Sequence, residues 1–153
     1  MTLPGLWAIR ALGPADASVL AALHEESFEE SWSTQTFAGL MVLPGAFGFL
    51  ALAQVAPAGF VLALVAADEA EILTLAVAQA SRERGLGKEL VNRAMGLAAA
   101  EGAERMFLEV AEDNAAGQAL YLALGFAEIG RRPAYYGKPG LARKDALLMS
   151  RNL

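Results

Sequence analysis

The sequence predicts an α+β fold built on one mixed β-sheet, and three observations carry that expectation. Apolar runs at 46–55, 59–67 and 71–79 follow one another with short turns between them, the pattern of a three-stranded meander. A helical period then begins at Leu86, returns at Leu90 and Val91 and continues to about Ala100. The next run, RMFLEVAE at 105–112, is apolar on both faces apart from Glu109, as expected of a buried parallel neighbour reached by a right-handed crossover.

The remaining elements follow in order. A short strand is expected near Leu6 to Arg10. Pro14 can open a first helix that turns Val19, Leu20, Leu23 and Phe28 to one side. Ser33 is the natural N-cap of a second helix, which must stop before Pro44 and Gly45. The long third helix ends at Gly102, a fourth runs from Asn114 to Leu124 and is closed by Gly125, and strands near 127–132 and 143–150 complete a sheet of about seven.

A length of 153 residues suits one domain, read as 1–153, with a full core. The chain is 56% hydrophobic and 19% charged, too apolar for disorder. It has no cysteine and one histidine, which leaves no disulfide, no thiolate nucleophile and too few soft ligands for a metal site. A formal charge of −5 argues against a nucleic-acid binder, which spreads a basic patch over one face. Residues 47–67 contain a single clearly polar side chain, Gln54, and are long enough to span a bilayer. Pro57, Ala58 and Gly59 at the centre and the lack of flanking cations favour two buried strands instead, and the N-terminus has no signal-peptide pattern. A cytoplasmic protein, without a membrane association, is expected.

The stretch SRERGLGKEL at 81–90 sets Arg82, Arg84 and Lys88 around Gly85 and Gly87 at the start of the third helix. A helix N-terminus carries partial positive charge and repels cations, so the arrangement makes sense when a polyanion completes it. Neither standard nucleotide loop fits: a P-loop needs glycine where Arg82 stands and Ser or Thr where Glu89 stands, and a dinucleotide fingerprint needs glycine at Leu90.

The turn R-x-x-G-x-G formed by Arg82, Gly85 and Gly87 resembles the pyrophosphate loop of the GCN5-related N-acetyltransferases (GNAT), and NAAGQALYLALGF at 114–126 resembles that family's second cofactor motif. SFEESWSTQTFAGL at 27–40, LAV at 75–77, FLEV at 107–110 and PAYYGKPGLARKDALLM at 133–149 extend the resemblance to the RimI-type acetyltransferases, which modify the N-terminal alanine of a small-subunit ribosomal protein. Arg82 stands where a Gln is more usual, Glu83 where a neutral or basic residue is commoner, and Lys88 for an Arg.

The resemblance implies a GNAT fold with a coenzyme A site between splayed parallel strands. Acetyl-CoA would be the co-substrate, with no metal. Its contacts would come from Leu75, Ala76, Val77, Arg82, Glu83, Arg84, Gly85, Leu86, Gly87, Lys88 and Asn114, with Gly117 leaving room for the ligand. Glu109 would be the general base and Tyr121 the general acid, and a backbone N–H near Val77 would polarise the thioester carbonyl. An ordinary phenol near 10 and a thiol near 8.5 are close enough for the hand-over. Trp32 and Tyr136 would line the acceptor pocket.

Each residue also has a structural reading: Asn114 as an N-cap, Tyr121 as a core aromatic, Glu109 in a structural ion pair, and Trp32 and Tyr136 as packing. His24, beside Glu25 and Glu26, is expected on the helix surface rather than in catalysis. The partner implied is the N-terminal peptide of a ribosomal protein, drawn in by Glu25, Glu26, Glu29 and Glu30, and the enzyme itself would be a monomer or weak dimer. Two other readings stay open: a GNAT enzyme acting on a small amine, and a non-catalytic acyl-CoA-binding module.

Overall fold

A computed structural model describes residues 6–137 and 142–153. The chain runs β1 (Ala8–Ala11), a 3-10 turn (Pro14–Asp16), α1 (Ala17–Ser27), α2 (Thr34–Met41), β2 (Ala46–Ala53), β3 (Ala56–Ala66), β4 (Glu69–Val77), a second 3-10 turn (Gln79–Ser81), α3 (Leu86–Ala100), β5 (Arg105–Ala111), α4 (Ala115–Ala123), β6 (Ala127–Tyr136) and β7 (Lys144–Asn152). The seven strands pair in the order β1-β2-β3-β4-β5-β7-β6. Only β4 and β5 pair in parallel among the described strands. The fold is α+β on a mixed sheet, as the hydrophobic patterning requires.

Residues 47–67 fall within β2, the Gln54–Val55 turn, β3 and Ala67. No helix among the described residues is long and apolar enough to cross a membrane. Expected strands near 127–132 and 143–150 extend to Tyr136 and Asn152. β6 continues through Pro133 because it is the sheet's edge, where a missing N–H need not break an inner ladder. Of the segment 133–149, residues 138–141 lie outside the described residues, as do residues 1–5 of the N-terminal stretch.

Each face of the sheet carries its own core. On one face α3 and α4 bring Leu86, Leu90, Val91 and Leu124 against Val61, Leu108 and Val110. On the other, α1 and α2 bring Leu20 and Phe37 against Leu50, Phe60 and Leu62. Leu20, Leu90, Phe37 and Phe60 are fully excluded from water, each contributing ~1.5–3 kcal/mol of transfer free energy. β5 departs from the expectation of two apolar faces. Met106, Leu108 and Val110 enter the first core, while Phe107 and Glu109 alternate onto the opposite, partly open face, which α1 and α2 do not extend far enough to cover.

The feature that shapes the site is a one-residue irregularity in β4. Thr74 pairs with Leu62 of β3 but Ile72 pairs with Ala63, so Leu73 is an extra residue. A bulge bends and twists the strand that contains it. The parallel ladder to β5 stops at the same place: it joins Glu69 to Arg105 through Ile72 to Leu108 and goes no further, although β4 continues to Val77 and β5 to Ala111. The two strands therefore diverge at their carboxyl ends.

Helices α3 and α4 both end in Schellman motifs. In α4 the Phe126 N–H donates to the Tyr121 carbonyl (3.0 Å) and the Gly125 N–H to that of Leu122 (3.0 Å), with Gly125 at φ 89°. The Phe126 ring then packs edge-on against Tyr121, with centroids 5.8 Å apart, so the helix end and the tyrosine are positioned together. A Cβ at Gly125 would also lie 3.2 Å from Arg151 Nε. Gly125→Ala is expected to destabilise the protein by about 1–2 kcal/mol through left-handed strain. Urea unfolding should show this as a lower midpoint with an unchanged slope.

Candidate active site

The opening between β4 and β5 gathers most of the residues singled out in the sequence. Leu75, Ala76 and Val77 lie on the diverging part of β4, where no β5 residue pairs with them. Immediately beyond, the loop turns through left-handed Glu83 (φ 63°) and Gly85 (φ 85°) into α3. No side chain caps this helix, and a Cβ at Gly85 would meet nothing within 4 Å. The first-turn N–H groups, which have no intrahelical acceptors, lie at the positive end of a 15-residue dipole, next to the open space at Gly85. Arg84 and Lys88 are exposed, and among the described residues neither joins an ion pair. This set of groups fits a pyrophosphate, with Leu86 buried beneath it as the first core residue of α3.

Arg82 is differently employed. Its Nε donates to the Val77 carbonyl at 2.9 Å and an Nη to Ser27 Oγ at 3.2 Å, while Glu26 accepts the Gln79 N–H at 2.7 Å. The guanidinium thus ties the end of β4 to the end of α1, and Glu26 is committed to the same junction. Asn114 caps α4, accepting the Gly117 N–H at 2.9 Å. Gly117 corrects the expectation that it makes room for a ligand: a Cβ there would sit 2.6 Å from Asn114 Nδ2, so glycine makes room for the cap.

Glu109 and Tyr121 belong to opposite faces of the sheet. Tyr121 belongs to the core under α3 and α4 and is only 7% exposed. Burial, reinforced by Tyr136, pushes its phenol well above the ordinary value. It therefore remains protonated at neutral pH but is a weaker acid than the ordinary values imply, and proton hand-over to a thiolate is steeper than expected from the sequence. Glu109 lies on the other face and forms an ion pair with Arg132 at 2.9 Å. Burial also raises the half-buried Tyr136 to about 12, with Glu109 and Tyr135 adding to the effect and Arg132 opposing it. Tyr136 thus lies within electrostatic range of both Tyr121 and Glu109.

Beside Glu109 lies a groove of about 290 Å³ lined by Leu64, Glu71, Phe107, Glu109, Ile129 and Leu148, among others. Burial raises the Glu71 carboxyl, with Glu109 adding to the shift and Arg132 opposing it. Glu71 was not singled out in the sequence, because it acquires its importance only from the parallel register that sets it against Phe107, next to Glu109.

His24 overturns the expectation of a surface residue, being 2% exposed. It stacks between Phe28 (4.2 Å) and Trp32 (4.9 Å), and Phe37 meets it edge-on and links it to Phe60. Its Nδ1 accepts the Trp32 N–H at 3.0 Å. The sequence held a signal, since His24 lies four residues after Leu20 on the apolar stripe of α1. Trp32 is thereby fixed on the α1–α2 loop, partly buried against the second core.

The structure is thus an α+β domain whose one parallel strand pair, among the described strands, splays beside a helix N-terminus that no side chain caps. The family model "Acetyltransferase (GNAT) family" matches residues 17–126, and the chain belongs to that family. It is 35% identical over 83 residues to the [ribosomal protein bS18]-alanine N-acetyltransferase of Haemophilus ducreyi, covering 54% of this chain and 57% of that protein. It is 42% identical over 83 residues to an uncharacterised protein of Mycobacterium leprae, covering 54% of this chain and 21% of that protein. The match thus spans less than two thirds of either relative. The crystal structure of the ribosomal-protein-S18-alanine N-acetyltransferase from Escherichia coli superposes with a TM-score of 0.87 at 29% identity, covering 95% of this chain and 93% of that one.

Burial holds His24 down at about 4, against an ordinary 6.5. Between those values the unfolded chain binds a proton that the folded chain does not, so stability falls as pH is lowered through the window. The loss should approach 3 kcal/mol, roughly, by linkage. His24→Asn, which keeps an acceptor but cannot titrate, should show a smaller loss between about pH 7 and pH 4.5 in urea unfolding; an equal loss would remove His24 as the cause.

Proposed function

We propose that this chain is an acetyl-CoA-dependent N-acetyltransferase that acetylates the α-amine of a protein N-terminus, with the terminal alanine of a ribosomal protein as the acceptor. The observation that supports this reading is the divergence of β4 and β5 beyond Ile72 and Leu108, just before the chain enters the N-terminus of α3. Family membership and the similarity to alanine N-acetyltransferases support the acetyl donor and the acceptor class.

In this reading Glu83 to Lys88 hold the pyrophosphate and residues 75–77 the acyl arm, with Arg82 bracing them and Asn114 capping the neighbouring helix. Glu109 takes the proton of the acceptor ammonium, directly or through water. An α-ammonium has an ordinary pKa of about 7.7–8.0, against about 10.4 for lysine, so a carboxylate suffices near neutral pH. The freed amine attacks the thioester carbonyl, whose oxygen is polarised by a backbone N–H near Val77; the C–S bond breaks, Tyr121 protonates the departing sulfur, and the proton that the new amide nitrogen sheds restores the phenol. Each positioned proton transfer contributes ~10²–10⁴-fold. Trp32, Tyr136 and the groove beside Glu109 receive the peptide. The groove is open along a sheet face and carries carboxylates, which favours an extended basic peptide over a small enclosed amine.

Two measurements test the reading. A short peptide that begins with Ala and continues with basic residues should be acetylated on its α-amine, and blocking that amine while leaving lysines free should stop the reaction. Mass spectrometry that finds acetyl on lysine side chains, or faster turnover of a small polyamine, would move the enzyme to a different acceptor class; no turnover with any amine would leave an acyl-CoA-binding module. Glu109→Gln should lower kcat most at low pH, and Tyr121→Phe should lower kcat with little change in acetyl-CoA affinity. If neither falls by about tenfold, ~1.4 kcal/mol, these roles are wrong.

A further inference from the structure

Glu109 already has a cation. The Arg132 guanidinium lies 2.9 Å from its Oε1, and this is the one ion pair of Glu109 among the described residues. We propose that Arg132 holds the place of the acceptor's ammonium: it seats on Glu109 while the acceptor groove is empty, gives way to the incoming α-ammonium, and returns as the acetylated product leaves. The inference rests on the reading of Glu109 as the base of an α-amine acetyltransferase.

Three observations on β6 support a guanidinium that can leave. The Arg132 side chain is 52% exposed against 19% for Glu109, so the pair is wet on the arginine side and breaking it is cheap. The guanidinium also has a holder other than the carboxylate: while paired with Glu109, Arg132 Cζ lies 4.6 Å from the centre of the Tyr135 ring, itself 46% exposed, a contact it can keep when the carboxylate is taken. The β6–β7 ladder is irregular between Arg132 and Tyr136, with Ala134 at φ 51°, so the strand beyond Arg132 is not held in a continuous register. Its neighbour shows the contrast: Arg131 is pinned by both Glu112 (3.1 Å) and Asp145 (2.9 Å).

The chemistry favours arginine for this duty. A guanidinium keeps its proton at any working pH, so it can occupy the base without becoming a nucleophile beside the thioester. An amine in that place would itself be an acceptor. The exchange also has a direction. Before transfer the α-ammonium competes with Arg132 for the carboxylate; Glu109 takes one proton, the N–C bond forms and the C–S bond breaks, the nitrogen's second proton makes good the one Tyr121 gives to the departing sulfur, and Glu109 then loses the first proton to solvent. The product is a neutral amide, which has no charge to set against the guanidinium, so Arg132 re-forms the pair at the product's expense.

The test uses steady-state kinetics of the full chain with acetyl-CoA and an Ala-initiated basic peptide, at about pH 8 where ordinary carboxylates are ionised. Arg132→Ala and Arg132→Gln should each lower the acceptor KM about three- to tenfold, equivalent to about 0.6–1.4 kcal/mol, with the KM for acetyl-CoA unchanged. The same variants should be inhibited more strongly by the N-acetylated peptide, because nothing reclaims Glu109 from it. That second readout separates an exchanging cation from a purely structural one. An acceptor KM that is unchanged or raised in both variants, with melting temperatures near that of the wild type, overturns the inference while leaving the functional reading intact. A wild type that acetylates no α-amine overturns both.

Discussion

The constraint on which the rest depends is the point at which two parallel strands stop pairing. Everything before Ile72 and Leu108 is an ordinary ladder, and everything beyond is a gap. The bulge at Leu73 supplies the divergence at the cost of one unpaired residue, and it also reverses which β4 side chains face which core. Ala70 and Ile72 belong to the core under α3, whereas Ala76 belongs to the core under α1 and α2, with Leu75 and Val77 returned to the first. Past that point no hydrogen-bonded ladder joins β4 to β5, so the two faces of the sheet are no longer separated by continuous backbone there.

Charge is divided across this gap. The helix-dipole end, with Arg84 and Lys88, lies on the side of α3, and Glu71 and Glu109 lie in the groove on the other face. The overall formal charge of −5 hides this arrangement, because most acidic residues are distributed elsewhere. Arg82, which looks like a member of the cationic loop, is spent on mechanical connection between β4 and α1. Its chemistry in the sequence is that of its neighbours; its work in the fold is not.

Much of the architecture was legible because it rests on local rules. Leu86–Ala100 was bounded correctly by its apolar period and by Gly102, and Ser33, Asn114 and Gly125 act as the caps and stops their chemistry implies. Two of the misses, the bulge and the partner of Glu109, originate in long-range pairing, and the other two are local. The bulge at Leu73 is invisible because no glycine marks it and its cause lies in the register with β3. The partner of Glu109 was hidden because β7 inserts between β5 and β6, which carries Arg132 across the intervening strand. His24 was misplaced because its charged neighbours Glu25 and Glu26 drew attention from the helical stripe it shares with Leu20. Gly117 was read as space for a ligand when the space is taken by the side chain three residues before it.

Strand β6 has a consequence for the behaviour of the protein in concentrated solution. It is one of the two free margins of the sheet, the other being β1, and almost all of its residues are exposed. Such margins invite strands from other chains and are a common origin of aggregation. Here Pro133 withholds one N–H, the irregular register interrupts the flat edge, and Arg131 and Arg132 would have to shed water before any eighth strand could dock. The margin that borders the groove thus carries three features that oppose indiscriminate strand addition.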